Sequence, residues 1–299
     1  MMTRLGLALL RLLHRLLPAA ALGRLGAMLG GLLYALAGSR RRVGETNLRL
    51  CFPELPAGER EALLRRHFRA LGRSLMLETV SWWGDRRQLE RLVRLEGLEH
   101  LRPHLGRPLI LLAPHFVGLN IGGVRVTAEL APIVSIYTRI RDPGMDSLML
   151  RARTRFLARE REGSGERSEM YARNDGVKPV LRAMKRGLPL YYLPDMDFGT
   201  RDAVFVPFFG VPTATVTGLA RLARAAGAAV VPCVTRQTGS GYVTRFYPAW
   251  TDFPGGDLEA DTRRMNAFIE ERVREMPEQY FWLHQRFKSR PPGEAGLYD

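Results

Sequence analysis

Short apolar runs alternate with longer amphipathic stretches between residues 108 and 274. Apolar runs bounded by Pro, Gly or Asn are typical of buried strands, whereas apolar residues repeating every three or four positions indicate helices. The pattern predicts strands at 108–113, 132–137, 188–193, 204–207, 228–235 and 242–247, and helices at 117–130, 145–159, 175–186, 213–226 and 258–274. Such alternation favours an α/β fold, a mostly parallel central sheet flanked by helices. The charged, Gly- and Ser-containing stretch 159–173 is expected to be a mobile loop.

The amino-terminal segment has a different pattern. Residues 5–38 are rich in Leu, Ala and Gly, and 25–39 carry no charge, although a membrane-spanning helix needs about 20 apolar residues. Extension back to residue 16 reaches that length with one charge, Arg24, and Arg11 and Arg15 form a basic face just before it. We therefore predict a membrane-associated helical segment at 1–39 and an α/β domain at 40–299, with a helix at 57–80. The alternative is a soluble helical hairpin packed on that domain.

His115 follows the predicted strand 108–113 and precedes the predicted helix 117–130. Open α/β sheets bind ligands at the carboxyl ends of their strands, and a neutral imidazole there can accept a proton from a hydroxyl near pH 7. Asn120 can approach the ring if His115 lies in the turn and Asn120 in the first turns of the helix. An isolated histidine at a strand end is more often structural, so the interpretation depends on the remaining segments.

Two aspartates and an arginine follow the predicted strand 188–193. Asp195, Asp197 and Arg201 could orient a polar head group, or the aspartates could only cap backbone amides in a turn. Arg139 and Arg141 follow another predicted strand and are further candidates for substrate binding. Asp-Met-Asp is weak evidence for a metal because no other ligand spacing supports it, so neither a metal nor a cofactor is expected.

Charge narrows the possible partners. The 299 residues carry a formal net charge of +15, which favours an anionic partner such as nucleic acid, an anionic membrane or an acidic carrier. The basic residues are spread along the chain and no nucleic-acid-binding motif occurs, so nucleic acid is disfavoured. Cys51 and Cys233 show neither metal-ligand spacing nor a disulfide framework, which fits a reducing compartment.

Four segments in order give the chain a family resemblance. They are residues 41–55, the block around His115, the Pro-Asp-x-Asp to Pro-Phe-Phe-Gly block at 194–210, and residues 277–288. With these segments the chain resembles the late acyltransferases of lipid A biosynthesis, the lauroyl and myristoyl transferase family with the His-x4-acid motif. His284, in the fourth segment, is expected to pack with Trp282 and Phe287 rather than to catalyse.

The resemblance implies an acyltransferase fold of the glycerolipid-acyltransferase type with an amino-terminal membrane helix. It also implies transfer of a fatty acyl group from acyl carrier protein to a hydroxyl of a lipid A precursor, at the cytoplasmic face of the inner membrane. His115 would be the general base, and Asp195 with Arg139 or Arg141 would match the other polar site positions of the family. No Ser or Cys lies in a recognisable nucleophile elbow, so direct transfer is favoured over an acyl-enzyme.

The chain departs from the motif at Asn120, where the family has Asp or Glu. A carboxylate there would orient the imidazole and stabilise its protonated form, whereas an amide oxygen supplies no charge. This predicts faster acyl transfer in Asn120→Asp. The alternatives are an active homologue that tolerates Asn, a variant whose acid was removed to trap substrate, or a membrane-tethered homologue that binds lipid or carrier without catalysis. An acyltransferase for another envelope lipid also remains open.

Overall fold

The computed structural model describes residues 2–130, 132–156 and 167–298. Its helices are α1 Met2–Leu16, α2 Ala19–Leu36, α3 Gly38–Cys51, α4 Ala57–Leu77, α5 Thr79–Trp83, α6 Arg86–Leu92, α7 Leu119–Leu130, α8 Pro143–Thr154, α9 Lys178–Lys185, α10 Gly218–Ala226 and α11 Leu258–Glu275. Its strands are β1 Val93–Glu96, β2 Leu109–Leu112, β3 Val134–Tyr137, β4 Glu169–Ala172, β5 Leu190–Tyr192, β6 Ala203–Phe208, β7 Val211–Val216, β8 Ala229–Gln237 and β9 Tyr242–Phe246.

A seven-stranded sheet forms the centre of the molecule, in the order β1-β9-β8-β2-β5-β3-β4. Its neighbours pair in parallel except for β8 and β9, which are antiparallel. All four residues of β2 are fully buried because helices cover both faces of the sheet. Ile110 and Leu112 pack into one core cluster, and Leu109 and Leu111 into another. This confirms the predicted mostly parallel sheet flanked by helices.

One predicted helix began too early. The stretch 213–226 was expected to be helical throughout, but Val211–Val216 is a strand paired with β6, and the helix begins at Gly218. Phe209 and Gly210 have φ of 51° and 77°, which is the backbone required at both central residues of a tight hairpin turn. The β-branched residues that follow then pair across the hairpin instead of starting the helix.

The sheet has two edge strands that the apolar pattern did not reveal. β1 and β4 each pair with a single neighbour, and both contain charged residues because one side remains open to solvent. The expected loop at 159–173 is wrong at its end, where Glu169–Ala172 forms β4. Its residues 159–166 lie outside the described part of the chain.

The two amino-terminal helices pack on different parts of the rest of the molecule, α1 on α5 and α2 on α4. α2 lies along α4 with the two backbones in contact, because a side chain at Gly26 or Gly30 would overlap the backbone of Gly72 or Phe68. The opposite face of α2 exposes apolar side chains. Within the described residues α2 is the one helix long and apolar enough to cross a membrane, and 28% of its 18-residue window is buried inside the molecule.

Candidate active site

His115 and Asp195 lie at the carboxyl ends of two neighbouring parallel strands. In the register of β2 and β5, Leu112 pairs with Tyr192, and His115 and Asp195 each follow three residues later. Both strands continue through an apolar residue and a proline, so the two chains leave the sheet in the same way. The parallel pairing therefore brings an imidazole and a carboxylate together at the edge where such sheets bind ligands.

The Asp195 carboxylate makes two hydrogen bonds to His115. Its Oδ1 lies 2.6 Å from the His115 Nδ1, and its Oδ2 accepts from the His115 backbone N–H at 2.9 Å. Burial by itself raises the pKa of the Asp195 carboxyl, but the His115 ring and these hydrogen bonds outweigh it, so its pKa lies below the ordinary value. A buried carboxylate at Nδ1 holds the proton there and leaves Nε2 as the basic nitrogen.

The segment 279–281 near the carboxyl terminus is hydrogen-bonded to the backbone on both sides of Phe116. The Phe281 N–H donates to the His115 carbonyl at 2.9 Å, and the Val117 N–H donates to the Gln279 carbonyl at 2.8 Å. Between them lies the buried Tyr280, and burial followed by the Asp195 charge raises the Tyr280 pKa. We call His115, Asp195 and Tyr280 the histidine cluster.

Asp197 has a structural role in the described part of the chain. Its carboxylate accepts from the N–H of Gly199 at 2.8 Å, and from the N–H and hydroxyl of Ser289 at 2.7 and 2.9 Å. Its own N–H donates to Nε2 of His284 at 2.8 Å. Burial, with the nearby Arg286 charge, lowers the His284 pKa to about 4, so this ring stays a neutral acceptor. Asp197 and His284 thus fasten the carboxyl-terminal segment to the loop after β5.

Asn120 lies in the first turn of α7, as expected, but its side chain has other partners than the imidazole. Its Nδ2 donates to Oε2 of Glu78 at 2.5 Å, and its Oδ1 accepts from Nε of Arg153 at 2.9 Å. We call these three residues the arginine cluster. These contacts differ from the predicted one, in which Asn120 orients the ring of His115. In the structure Nδ1 of that ring is hydrogen-bonded to Asp195.

A cavity of about 1090 Å³ connects the two clusters, since His115, Asn120 and Arg153 all line it. Most of its wall is apolar. Besides Arg153, three further arginines line it, each from a different segment of the chain. The apolar lining includes Leu119, Val124, Ile136, Met149 and Leu150, and the cations are Arg173, Arg201 and Arg221. Deep apolar walls with a few polar groups are typical of ligand sites.

The predicted arginines are placed differently from one another. Arg201 lines the cavity with its side chain 96% exposed. Arg139 and Arg141 are exposed and do not line the cavity, although their neighbours Thr138 and Ile140 do. All four residues 138–141 are exposed and follow the end of β3, so this loop reaches the cavity only through Thr138 and Ile140.

Sequence reasoning missed Glu78, Arg153 and Tyr280. Glu78 interrupts the apolar run Leu75-Met76-Leu77 to Val80, and a lone acid in such a run is a signal that could have been followed. Arg153 is one of many arginines, and nothing in its local pattern distinguishes it. Tyr280 lies inside the fourth family-like segment, where its role could not be read without the fold.

Comparison of the sequence with known proteins points to lipid A biosynthesis acyltransferases. The sequence profile described as bacterial lipid A biosynthesis acyltransferase matches residues 1–289. The chain is 34% identical to the lipid A biosynthesis lauroyltransferase of Escherichia coli K12, over 99% of this chain and 94% of that protein. It is 32% identical to the palmitoleoyltransferase of the same organism, over 94% of this chain and 90% of the relative. Among solved structures it is similar to a 1-acyl-sn-glycerophosphate acyltransferase from Thermotoga maritima, with 13% identity, a TM-score of 0.37, and coverage of 85% and 98% of the two chains.

Proposed function

The chain belongs to the bacterial lipid A biosynthesis acyltransferase family, and we propose that it transfers a fatty acyl group from acyl carrier protein to a hydroxyl of a lipid A precursor, with His115 as general base. The observation that carries this proposal is the His115–Asp195 pair at 2.6 Å on the edge of a large, mostly apolar cavity. A histidine held by a buried carboxylate is the arrangement that activates a hydroxyl for attack on an acyl group.

The proposed reaction is a direct transfer. Nε2 of His115 takes the proton of the acceptor hydroxyl as its oxygen bonds to the thioester carbonyl carbon. The carbon–sulfur bond then breaks, and the imidazolium returns the proton to the departing thiolate of the carrier. The products are an acyl ester and a free thiol, and the histidine is restored. Asp195 stabilises the imidazolium between the two proton transfers.

Neither cysteine favours an acyl-enzyme. Cys51 and Cys233 are both buried, and burial raises the pKa of each thiol above its ordinary value. A thiol needs to ionise to become a nucleophile, so these two are suited to packing rather than to acyl transfer.

The cavity suits both substrates. Apolar walls can hold a fatty acyl chain, while guanidinium groups pair with phosphate through paired hydrogen bonds. Arg173, Arg201 and Arg221 supply those groups in the cavity wall, and the net charge of +15 favours an acidic carrier protein and a phosphorylated acceptor.

We also propose that α1 and α2 attach the enzyme to the cytoplasmic face of the inner membrane. Leu5, Leu9, Leu12 and Leu16 form one exposed face of α1, and Arg11 and Arg15 are exposed beside it. Apolar and basic residues together on one surface helix favour binding in the interface of an anionic bilayer. Since α2 packs along α4, the two helices are expected to lie in the interface and not to cross the bilayer.

Membrane attachment is tested by flotation with vesicles that contain anionic phospholipid. The double substitution Leu9→Ser, Leu12→Ser should release most of the protein from the vesicles. Leu105→Ser is the control, because Leu105 is also an exposed leucine but follows the 3-10 turn Arg102–His104 and belongs to neither α1 nor α2. Equal flotation of the two variants would contradict the proposed membrane face.

The reaction is tested by measuring thioester loss from a panel of acyl–acyl carrier proteins in the presence of a lipid A precursor. The chain should transfer at least one acyl group, and His115→Ala should lower the rate by about 10²–10⁴-fold, the typical contribution of a general base. Thermal unfolding of both proteins checks that the variant is folded. Transfer that does not depend on His115 would contradict the mechanism, and no transfer to this acceptor would favour another envelope lipid or a non-catalytic binding protein.

A further inference from the structure

The arginine cluster is the second group of charged side chains at the cavity. Glu78 lies between α4 and α5 and is only 6% exposed. Its Oε2 accepts from Asn120 at 2.5 Å and from the Ser81 hydroxyl at 3.1 Å, whereas its Oε1 has no hydrogen-bond partner among the described residues. Burial raises the pKa of this carboxyl, and the hydrogen bonds from Asn120 and Ser81 and the Arg153 charge act in the opposite direction. A carboxylate with so little exposure needs these donors, because an unpaired buried charge is strongly destabilising.

An amide is the side chain that fits position 120 between these neighbours. Its N–H side faces the carboxylate of Glu78 and its oxygen faces the guanidinium of Arg153, so each end meets a complementary charge. An aspartate at this position would place a second carboxylate within hydrogen-bond distance of Glu78. The carboxyl group that is absent from residue 120 is therefore present one hydrogen bond away, at Glu78.

Arg153 joins this cluster to the cavity. The hydrogen bond it makes among the described residues uses Nε alone, which leaves Nη1 and Nη2 for a ligand. Its side chain lines the same cavity as His115. A guanidinium whose Nε is held by a fixed acceptor presents its other two nitrogens in a defined direction, as paired recognition of phosphate or carboxyl oxygens requires.

We propose that Glu78 is a positioning residue that acts through Asn120 to hold the Arg153 guanidinium in the cavity wall, where it binds a substrate oxygen that carries negative charge. This inference rests on the proposed acyl transfer for its kinetic test. The oxygen is either a phosphate oxygen of the acceptor or the thioester oxygen as it becomes negative in the transition state. Binding to the first acts mainly on KM, and binding to the second acts mainly on kcat.

The decisive experiment exchanges the two functional groups. Glu78→Gln removes the charge and should lower kcat/KM by about 10- to 100-fold, the range expected for a charged hydrogen bond. Asn120→Asp alone should also lower it, because two carboxylates then face each other. The double variant Glu78→Gln, Asn120→Asp restores one carboxylate and one amide, with the carboxylate now directly on Arg153, and should return to within about threefold of the unmodified chain, since coupled neighbours compensate.

This expectation reverses the one drawn from the motif alone. If Asn120→Asp raises the rate and Glu78→Gln leaves it unchanged, the positioning role is wrong. The positioning role is also wrong if kcat/KM of the double variant does not exceed that of the less active single variant. Thermal unfolding of all three shows whether a lost rate comes from a lost fold. A rate that falls in the single variants and returns in the exchanged pair, with the unfolding temperature unchanged throughout, is not explained by a merely structural role.

Glu129→Gln is the matched control. Glu129 also loses its charge in this variant and lies on the same helix as Asn120, but it pairs with Arg125 and does not line the cavity. Its rate should stay within about twofold, since partly exposed ion pairs contribute little.

Binding measurements separate a failure of this inference from a failure of the proposed reaction. In the His115→Ala background, where no turnover is expected, the dissociation constant of the lipid A precursor in detergent micelles is compared with and without Glu78→Gln. A roughly tenfold weaker affinity supports phosphate binding by Arg153 even if no acyl donor is used. Unchanged affinity together with an unchanged kcat in the active protein would overturn the inference.

Discussion

The histidine cluster and the arginine cluster border the same cavity, but different parts of the fold assemble them. His115 and Asp195 each lie three residues after a pair of residues that face each other in β2 and β5. The backbone hydrogen bonds of the sheet therefore set the separation of the two side chains. Glu78, Asn120 and Arg153 lie on α4–α5, α7 and α8, so the packing of helices sets theirs. The pairing of two strands follows a regular pattern of backbone hydrogen bonds, whereas the contact between two helices depends on their individual side chains. The first cluster is thus the more predictable one.

The clusters also differ in how the carboxylate is connected to the side chain that lines the cavity. In the histidine cluster the carboxylate contacts the cavity-lining ring directly. In the arginine cluster an amide separates the carboxylate from the cavity-lining guanidinium. Loss of a direct contact should therefore cost more activity than loss of a contact made through another residue, and this ordering can be measured.

Removal of the charge on Asp195 should lower activity more than any change in the arginine cluster. Asp195→Asn keeps the size of the side chain but favours the wrong ring tautomer, so kcat should fall by about 10³–10⁴-fold, by comparison with the serine-protease triad. The measurement is steady-state acyl transfer by Asp195→Asn beside Glu78→Gln. If Glu78→Gln is the more damaging of the two, the distinction between direct and indirect contact is wrong.

A second prediction concerns His67, which joins the helix that leads to Glu78 to the segment that carries Tyr280. Its Nδ1 lies 3.0 Å from the Glu278 carbonyl, and burial lowers its pKa to about 4. The unfolded histidine titrates near 6.5, so its contribution to stability is fully present above that pH. It is lost as pH falls from about 6.5 to about 4, by about 3 kcal/mol.

His67→Asn keeps a donor for the Glu278 carbonyl but cannot titrate. Urea unfolding at pH 7.5, 5.5 and 4.5 should therefore show a flatter decline for His67→Asn than for the unmodified chain. The His284 contribution, which shifts in the same direction, remains in both proteins and serves as the internal reference. An equally steep decline in the two proteins would show that His67 does not link the two regions as a neutral ring.

The smallest effect is expected for Tyr280→Phe. This change removes the hydroxyl whose pKa the Asp195 charge raises and leaves the backbone contacts of the segment in place. Loss of this one hydroxyl should lower kcat about tenfold or less. Because the two clusters share no described hydrogen-bond partner, the effects of Tyr280→Phe and Glu78→Gln should multiply in the double variant. A combined effect well below the product would mean that the clusters act as one unit.

Much of the fold could be predicted because strand and helix patterns depend on local apolar spacing. The strands that became β2, β8 and β9 and the helix that became α11 were all recognisable. The strand Val211–Val216 was not, because its identity depends on the turn at Phe209 and Gly210 and on pairing with β6. The edge strands were missed because open edges carry charged residues that obscure the pattern.

For the site, the sequence by itself determined that His115 and Asp195 follow apolar strands through a proline, and hence that both lie at a ligand-binding edge. It also showed that residue 120 lacks the acid of the family motif. Only the tertiary structure decided that Asp195 is the partner of the imidazole, that Asn120 joins Glu78 to Arg153, and that Asp197, Arg139 and Arg141 do not line the cavity. The reason is physical: local spacing sets where a side chain leaves its own strand or helix, but its partner depends on which distant segment packs beside it.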